Sequence, residues 1–461
     1  MINHIKTVLN LMLFILLITT SCKKEFLAIK PDKALVIPNT LKDLQAIADN
    51  TSVMTGDQRN GITPLLGELG TDNYVYTDNT WINLNLIEKN SYIWAKEIFA
   101  PATIVSDWNK PYQAIFYANV ILQGLENLSE SGSQSYRDNL KGTALFYRAH
   151  ALYHLLQIFA PQYQAATAGT SLGIPLPLNP AVQTNVRRAT LAQSYAQLIQ
   201  DLEQALPLLP EIPLYKTRPC KSAVNGLLSR VYLIIGNYNQ ALAYANAYLE
   251  KQGTVLDFNT ITLSAGRPVP SLTNPELTFY SVMNSYASTE PPTTLVNPVL
   301  YTLYPANDLR RDAFFKVTGQ QISFKLGNYT NGFTYFSGIA TGEILLIRAE
   351  CYARNNNKDL ALQDLNKLRQ NRIAAISYTA AQAATADQAL DLILLERRLE
   401  LCFRGLSWPD LRRLNKEPRF AVTLTRTVSG NTYTLPPNDP RYVYPIPATE
   451  TDYNPLEQNI R

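Results

Sequence analysis

Residues 223–249, AVNGLLSRVYLIIGNYNQALAYANAYL, and residues 343–368, EILLIRAECYARNNNKDLALQDLNKL, decide the fold. In the first stretch apolar residues recur at helical spacing on both sides of the break Gly236-Asn237, which predicts one helix over 223–235, a turn, and a second over 238–249. A shift of about 120 residues carries Tyr232, Ala241 and Leu242 onto Tyr352, Ala361 and Leu362 of the second stretch. Small alanines let one helix approach its neighbour while Tyr and Leu fill the groove, so pairs of this kind bury a shared core only when stacked.

The same periodicity extends outward. It predicts a short helix through Leu41, Leu44 and Ile47, long amphipathic helices over 107–128 and 136–159, another over 191–206 stopped at Pro207, and a last one over 387–404. Between them the text is irregular. Residues 49–106 are polar and aromatic with Gly56, Gly61, Pro64, Gly67 and Gly70 as breakers, which predicts a long surface segment. Residues 252–342 and the tail from Pro436 are Pro-rich, with short strands expected near Tyr433 and over 320–325. The expected fold is therefore mainly α, a superhelix of tetratricopeptide-like helix pairs with a large loop-rich half and a few short strands.

At the N-terminus the apolar run Val8–Ile18 follows Lys6 and is too short to span a bilayer as a helix. It ends in Thr19-Thr20-Ser21-Cys22, the order of a lipobox, so residues 1–21 are read as an export signal and Cys22 as the lipidated residue. Residues 22–39 then form an anchor and extended segment, and 40–461 a single domain. With no second long apolar run, the rest of the chain is expected to be tethered by that lipid and not embedded.

Composition narrows the chemistry. Of 461 residues, 46% are hydrophobic and 17% charged, and 41 Lys+Arg against 37 Asp+Glu leave +4, far from the clustered basic charge that phosphate backbones select, so nucleic acid is excluded as a partner. Cys220, Cys351 and Cys402 have no C-x-x-C spacing and are expected as free thiols. Apart from His4 in the signal, the only histidines are His150 and His154, four apart on a helix with no glutamate base between them, and packing is expected of them, with no metal. No Gly-rich phosphate loop occurs, and no cofactor is implied. Glu68, Asp72 and Asp78 are the acids a glycoside-active enzyme would use, but single acids in polar loops usually cap or solvate, and the expectation is binding without catalysis.

Several segments resemble the SusD/RagB family of outer-membrane lipoproteins. Cys22-Lys23-Lys24-Glu25-Phe26-Leu27 is similar to its mature start, and Trp108, Tyr112, Ile115, Asn119 and Val120 to its first long helix. Tyr304-Pro305-Ala306-Asn307-Asp308-Leu309-Arg310-Arg311 resembles its central motif. Glu396-Arg397-Arg398-Leu399-Glu400-Leu401, Phe403-Arg404-Gly405 and Trp408-Pro409-Asp410-Leu411-Arg412-Arg413 resemble its C-terminal signature, and Tyr444-Pro445-Ile446-Pro447 its closing strand. The signature charges alternate in sign at helical spacing and are expected to form an internal ion-pair network.

The resemblance implies a cell-surface receptor that holds a nutrient, usually an oligosaccharide, over a SusC-like TonB-dependent transporter. Sugar sites need aromatic platforms beside amide, carboxylate or guanidinium groups. The stretch 72–81 supplies both, and Asp72, Asn73, Tyr76, Asn79 and Trp81 are the ligand-binding candidates there. Asn328, Tyr329, Asn331, Phe333 and Tyr335 repeat the composition, with Tyr329 as the candidate among them. The same architecture capturing peptides is the alternative; a scaffold without a ligand would leave the long aromatic loops unexplained.

Overall fold

The helix pairs form where the alternating apolar faces demand them. The computed structural model describes residues 38–128, 133–181, 186–290 and 294–461. The export signal, Cys22 and nearly all of the segment 22–39 lie outside the described residues. The main helices are α1 (Leu41–Ala48), α2 (Ser106–Asn127), α3 (Gln134–Phe159), α4 (Leu191–Ala205), α5 (Lys221–Ile235), α6 (Tyr238–Lys251), α7 (Thr341–Arg354), α8 (Lys358–Arg369), α9 (Ala386–Glu400) and α10 (Ser407–Leu414). From α2 to α9 each helix packs on the next in the chain, and α7 also lies on α9. The series closes one helix later than the periodicity implies, because the short α10 follows α9 across the turn at Phe403–Gly405.

The two homologous stretches behave alike. Ala241 and Ala361 are fully buried, while Tyr232, Leu242, Tyr352 and Leu362 are half-buried around them. Tyr232 stacks flat on Tyr244, with ring centroids 5.5 Å apart. The turn between α5 and α6 is closed by Gly236 in the left-handed region (φ +80°) and by Asn237, whose side chain accepts from the Gln240 amide.

Ten short strands complete Leu41–Arg461, which is one compact unit. They form five separate antiparallel pairs among the described residues. These are β1 (Tyr74–Val75) with β5 (Leu295–Val296), β2 (Leu172–Pro175) with β3 (Arg188–Thr190), and β4 (Leu277–Phe279) with β8 (Ile339–Ala340). The remaining two are the hairpins β6 (Phe315–Thr318)–β7 (Gln321–Phe324) and β9 (Leu424–Val428)–β10 (Asn431–Leu435), at the positions expected for short strands.

Within the segment 49–106, whose composition suggests a surface loop throughout, one stretch is interior. Every residue from Gly61 to Thr71 is buried. The buried Asp107 at the start of α2 accepts from the Leu65 and Leu66 amides (2.5 and 2.9 Å), and Tyr444 donates to the Leu66 carbonyl (2.6 Å), so irregular backbone is satisfied inside the protein. Gly70 is there because a Cβ would come within 2.6 Å of the Trp408 ring; it marks a close approach, not a break.

The signature charges form the expected network. Arg310 of the central motif pairs with Asp308, Glu396 and Glu400 at 2.7–3.0 Å, and Arg372 pairs with Glu276 and Glu400 at 2.7 and 2.8 Å, all essentially without exposure. Arg413 joins Asp410 and Glu350, and Arg397 joins Asp410. Tyr304 donates to the Leu399 carbonyl (2.7 Å), so the central motif and the C-terminal signature meet in space. Burial opposes ionisation of Glu400 and Glu350, but the adjacent guanidiniums outweigh it and hold both below the usual carboxylate range, Glu350 at about 2.

Candidate functional site: two clefts beside the 327–333 loop

Three candidates from the sequence are interior. Asn73 is fully buried and donates to Glu68 Oε1 (2.6 Å) and Ser407 Oγ (3.1 Å). Tyr76 lies in a ring cluster with Tyr74 and Tyr92 and donates to the Ser288 carbonyl (3.1 Å). Tyr329 is stacked on Phe336 at 5.3 Å, with the Arg404 guanidinium 5.2 Å from its ring. Their ring faces and amides are spent on the fold.

The other three are accessible. Asp72 is half-buried and accepts from Arg398 Nη2 (2.7 Å). Asn79 and Trp81 sit on the short helix Asp78–Asn83, which Thr77 caps through the Thr80 amide. Asn79 is exposed; Trp81 is half-buried, its Nε1 donating to the Lys89 carbonyl (3.4 Å), with Lys89 Nζ 5.9 Å from the ring centroid. Ile82, next to it on that helix, is exposed. The acids that catalysis would use are each engaged: Glu68 is enclosed, Asp72 is paired, and Asp78 accepts from the Ser429 amide (2.8 Å). Burial pushes the Glu68 carboxyl up to about 7 against the hydrogen bonds from Asn73, Gly405 and Thr71.

His150 and His154 are buried, Nε2 to Nε2 3.2 Å apart, with His150 packed beside Phe146 and Phe279. Burial lowers the His150 pKa to about 3 and that of His154 as well, so both rings are neutral packing groups. Among the described residues no cluster of three or more His, Cys, Asp or Glu is arranged to hold a metal.

Two clefts flank the loop 327–333, built by the second aromatic stretch. One cleft, of about 790 Å³, is walled by Leu263, Asp312, Phe315, Lys316 and the exposed Phe333. The other, of about 570 Å³, is walled by Asp57, Gln58, Ser271, Thr273 and Asn331. Arg267 lines both. Its guanidinium lies 5.3 Å from the Phe333 centroid and donates to the Asn331 carbonyl (3.0 Å). Lys325, at the edge of the first cleft, donates to the carbonyls of Leu263, Ala265 and Asp312 at 2.6–3.1 Å and ties three segments together.

Phe333 and Asn331 belong to a run whose composition marks it in the sequence. Arg267 does not: Gly266-Arg267-Pro268 has no periodicity and no motif, and only the fold brings it to the loop.

An exposed ring with a guanidinium and amides around it, held on a helical scaffold, has the chemistry that small-ligand surfaces use. Comparison with known proteins bears on the family. Residues 25–233 match a SusD-like family model described as starch-binding associating with outer membrane, and residues 329–460 match the SusD family model. The two ranges together take in most of the chain, which belongs to the SusD/RagB family.

A candidate sugar-binding protein of Bacteroides vulgatus has a similar structure (TM-score 0.74, 23% identity, 92% of this chain and 99% of that one). So does a SusD superfamily protein of Bacteroides thetaiotaomicron (TM-score 0.73, 21% identity, 92% and 100%). A SusD-like carbohydrate binding protein of Bacteroides vulgatus is also similar (TM-score 0.68, 19% identity, 91% and 97%). No curated protein sequence matches the chain. No helix among the described residues is long and apolar enough to cross a membrane.

Proposed function

We propose that this protein is a non-catalytic, cell-surface lipoprotein, anchored through Cys22, that captures an oligosaccharide and delivers it to a TonB-dependent outer-membrane transporter. The observation that carries the reading is Phe333, 50% exposed at the wall of the larger cleft, with Arg267 across its face. A pyranose presents an apolar C–H face and a rim of hydroxyls; the ring desolvates the former while Arg267, Asn331 and Asp57 bond the latter. Trp81 offers a second, smaller platform with Asn79 and Asp72 on its segment.

Calorimetry with a panel of oligosaccharides tests this. Phe333→Ala is expected to weaken the best ligand by about tenfold or more, from a stacking contribution of roughly 1.5 kcal/mol or above, and Trp81→Ala less. Unchanged affinity in Phe333→Ala refutes the site. New reducing ends after long incubation with the ligand would refute binding without catalysis, and capture of peptides but no glycan would overturn the ligand class. Cys22→Ser is expected to release the protein from the membrane fraction.

A further inference from the structure

We infer that the ligand of this site is a linear oligosaccharide long enough to occupy both clefts at once; this rests on the glycan reading above and goes beyond it in naming the ligand's form. Each cleft, at about 790 and 570 Å³, is by itself of the size that holds a complete small ligand. They are not independent. Arg267 is a wall of both, so a group bound against its guanidinium in one cleft is at the threshold of the other.

The ridge between them is fixed. Gly327, at φ +99°, has no side chain, and the Arg267 stem fills the place: a Cβ there would lie 2.4 Å from Arg267 Nε. Tyr329 and Asn331 are also left-handed, at φ +66° and +55°, conformations that persist only where surrounding bonds over-determine them. Those bonds are present. Phe333 N donates to the Gln58 carbonyl (2.6 Å), Tyr329 N to the Val269 carbonyl (3.2 Å), and Asn328 accepts from Val269 N (3.1 Å) and donates to the Ala313 carbonyl (2.9 Å). The loop is therefore a preorganised step, and a ligand crossing it spends little on ordering protein.

Both clefts offer a sugar apolar and polar contacts: the first has the exposed Phe333 beside Asp312 and Lys316, the second the exposed Leu272 beside Ser271, Thr273, Asn331 and Asp57. One sugar of a chain would stack on Phe333 and the following sugars would be held by their edges past Arg267. Two weak contacts joined in one ligand gain from effective concentration, which a mono- or disaccharide confined to one cleft forgoes.

The test uses the full-length ectodomain and purified ladders, from disaccharide to octasaccharide, prepared from starch, xylan and cellulose. For the ladder that binds, Kd is expected to fall by roughly tenfold or more with length and then level off. Thr273→Trp, an exposed position in the second cleft, is expected to remove most of that length dependence with an unchanged melting temperature. Affinity independent of length, or a length gain that survives Thr273→Trp in the folded variant, overturns the inference while leaving the glycan reading in place. Failure of every ladder to bind overturns the glycan reading, and the inference with it.

Discussion

Glu400→Gln isolates the internal charge network. Glu400 is fully buried and serves two guanidiniums: Arg372 reaches it through Nε and Nη2 (2.8 Å at the closest) and Arg310 through Nη1 (3.0 Å). The amide keeps shape and one acceptor but removes the charge, leaving Arg310 to Asp308 and Glu396 and Arg372 to Glu276. Breaking a buried pair by neutralising one partner costs about 3–5 kcal/mol. With an unfolding entropy of about 2.1 cal/mol/K per residue, the unit Leu41–Arg461 has roughly 0.9 kcal/mol/K, so the melting temperature is expected to drop by about 3–6 °C. The control is Arg398→Ala, which removes the partly exposed pair with Asp72 and is expected to cost about 0–1 kcal/mol. Scanning calorimetry and urea midpoints read the difference. If Glu400→Gln melts like wild type yet loses its glycan, the signature charges are a binding site and the scaffold reading of them is refuted.

Three further outcomes follow from other groups. The Glu68 carboxyl is raised from 4.5 to about 7 in the folded protein, so the folded state holds its proton longer. Its stabilising contribution is complete below about pH 4.5 and is lost as pH rises to about 7, on the order of 3 kcal/mol, as urea titrations over that range would read. Glu350 has the opposite sign: held at about 2, it contributes above its unfolded pKa and that contribution is lost as pH falls from about 4.5 to 2, which Glu350→Gln should abolish in acid-unfolding curves. Gly327→Ala forces a side chain into a left-handed position against Arg267, and is expected to lower glycan affinity several-fold with a stability cost of about 1–2 kcal/mol.

The helical half was legible because an amphipathic helix writes its packing into the sequence every three to four residues. The echo of Tyr232, Ala241 and Leu242 at Tyr352, Ala361 and Leu362 keeps the same burial in both places. The segment 61–71 was not, since irregular backbone buried by side-chain bonds from Asp107 and Tyr444 carries no period, and glycines that permit contact look the same in sequence as glycines that break helices. Composition located two aromatic stretches but not which way each ring faces. Tyr76 and Tyr329 turn inward and Phe333 outward, a choice made by partners more than 50 residues away such as Ser288 and Arg404. The clefts are assembled from residues 51–58, 263–273 and 312–333, and nothing local announces that meeting.

The five strand pairs share no strand with one another. In a continuous sheet, a one-residue slip of one strand turns its side chains to the other face and disturbs the pairing on both of its edges. Here a slip stays within the ladder that receives it, since no strand is shared between pairs. The ladders can therefore change turn or length one at a time, as at the 318–321 and 428–431 turns, without re-registering another pair.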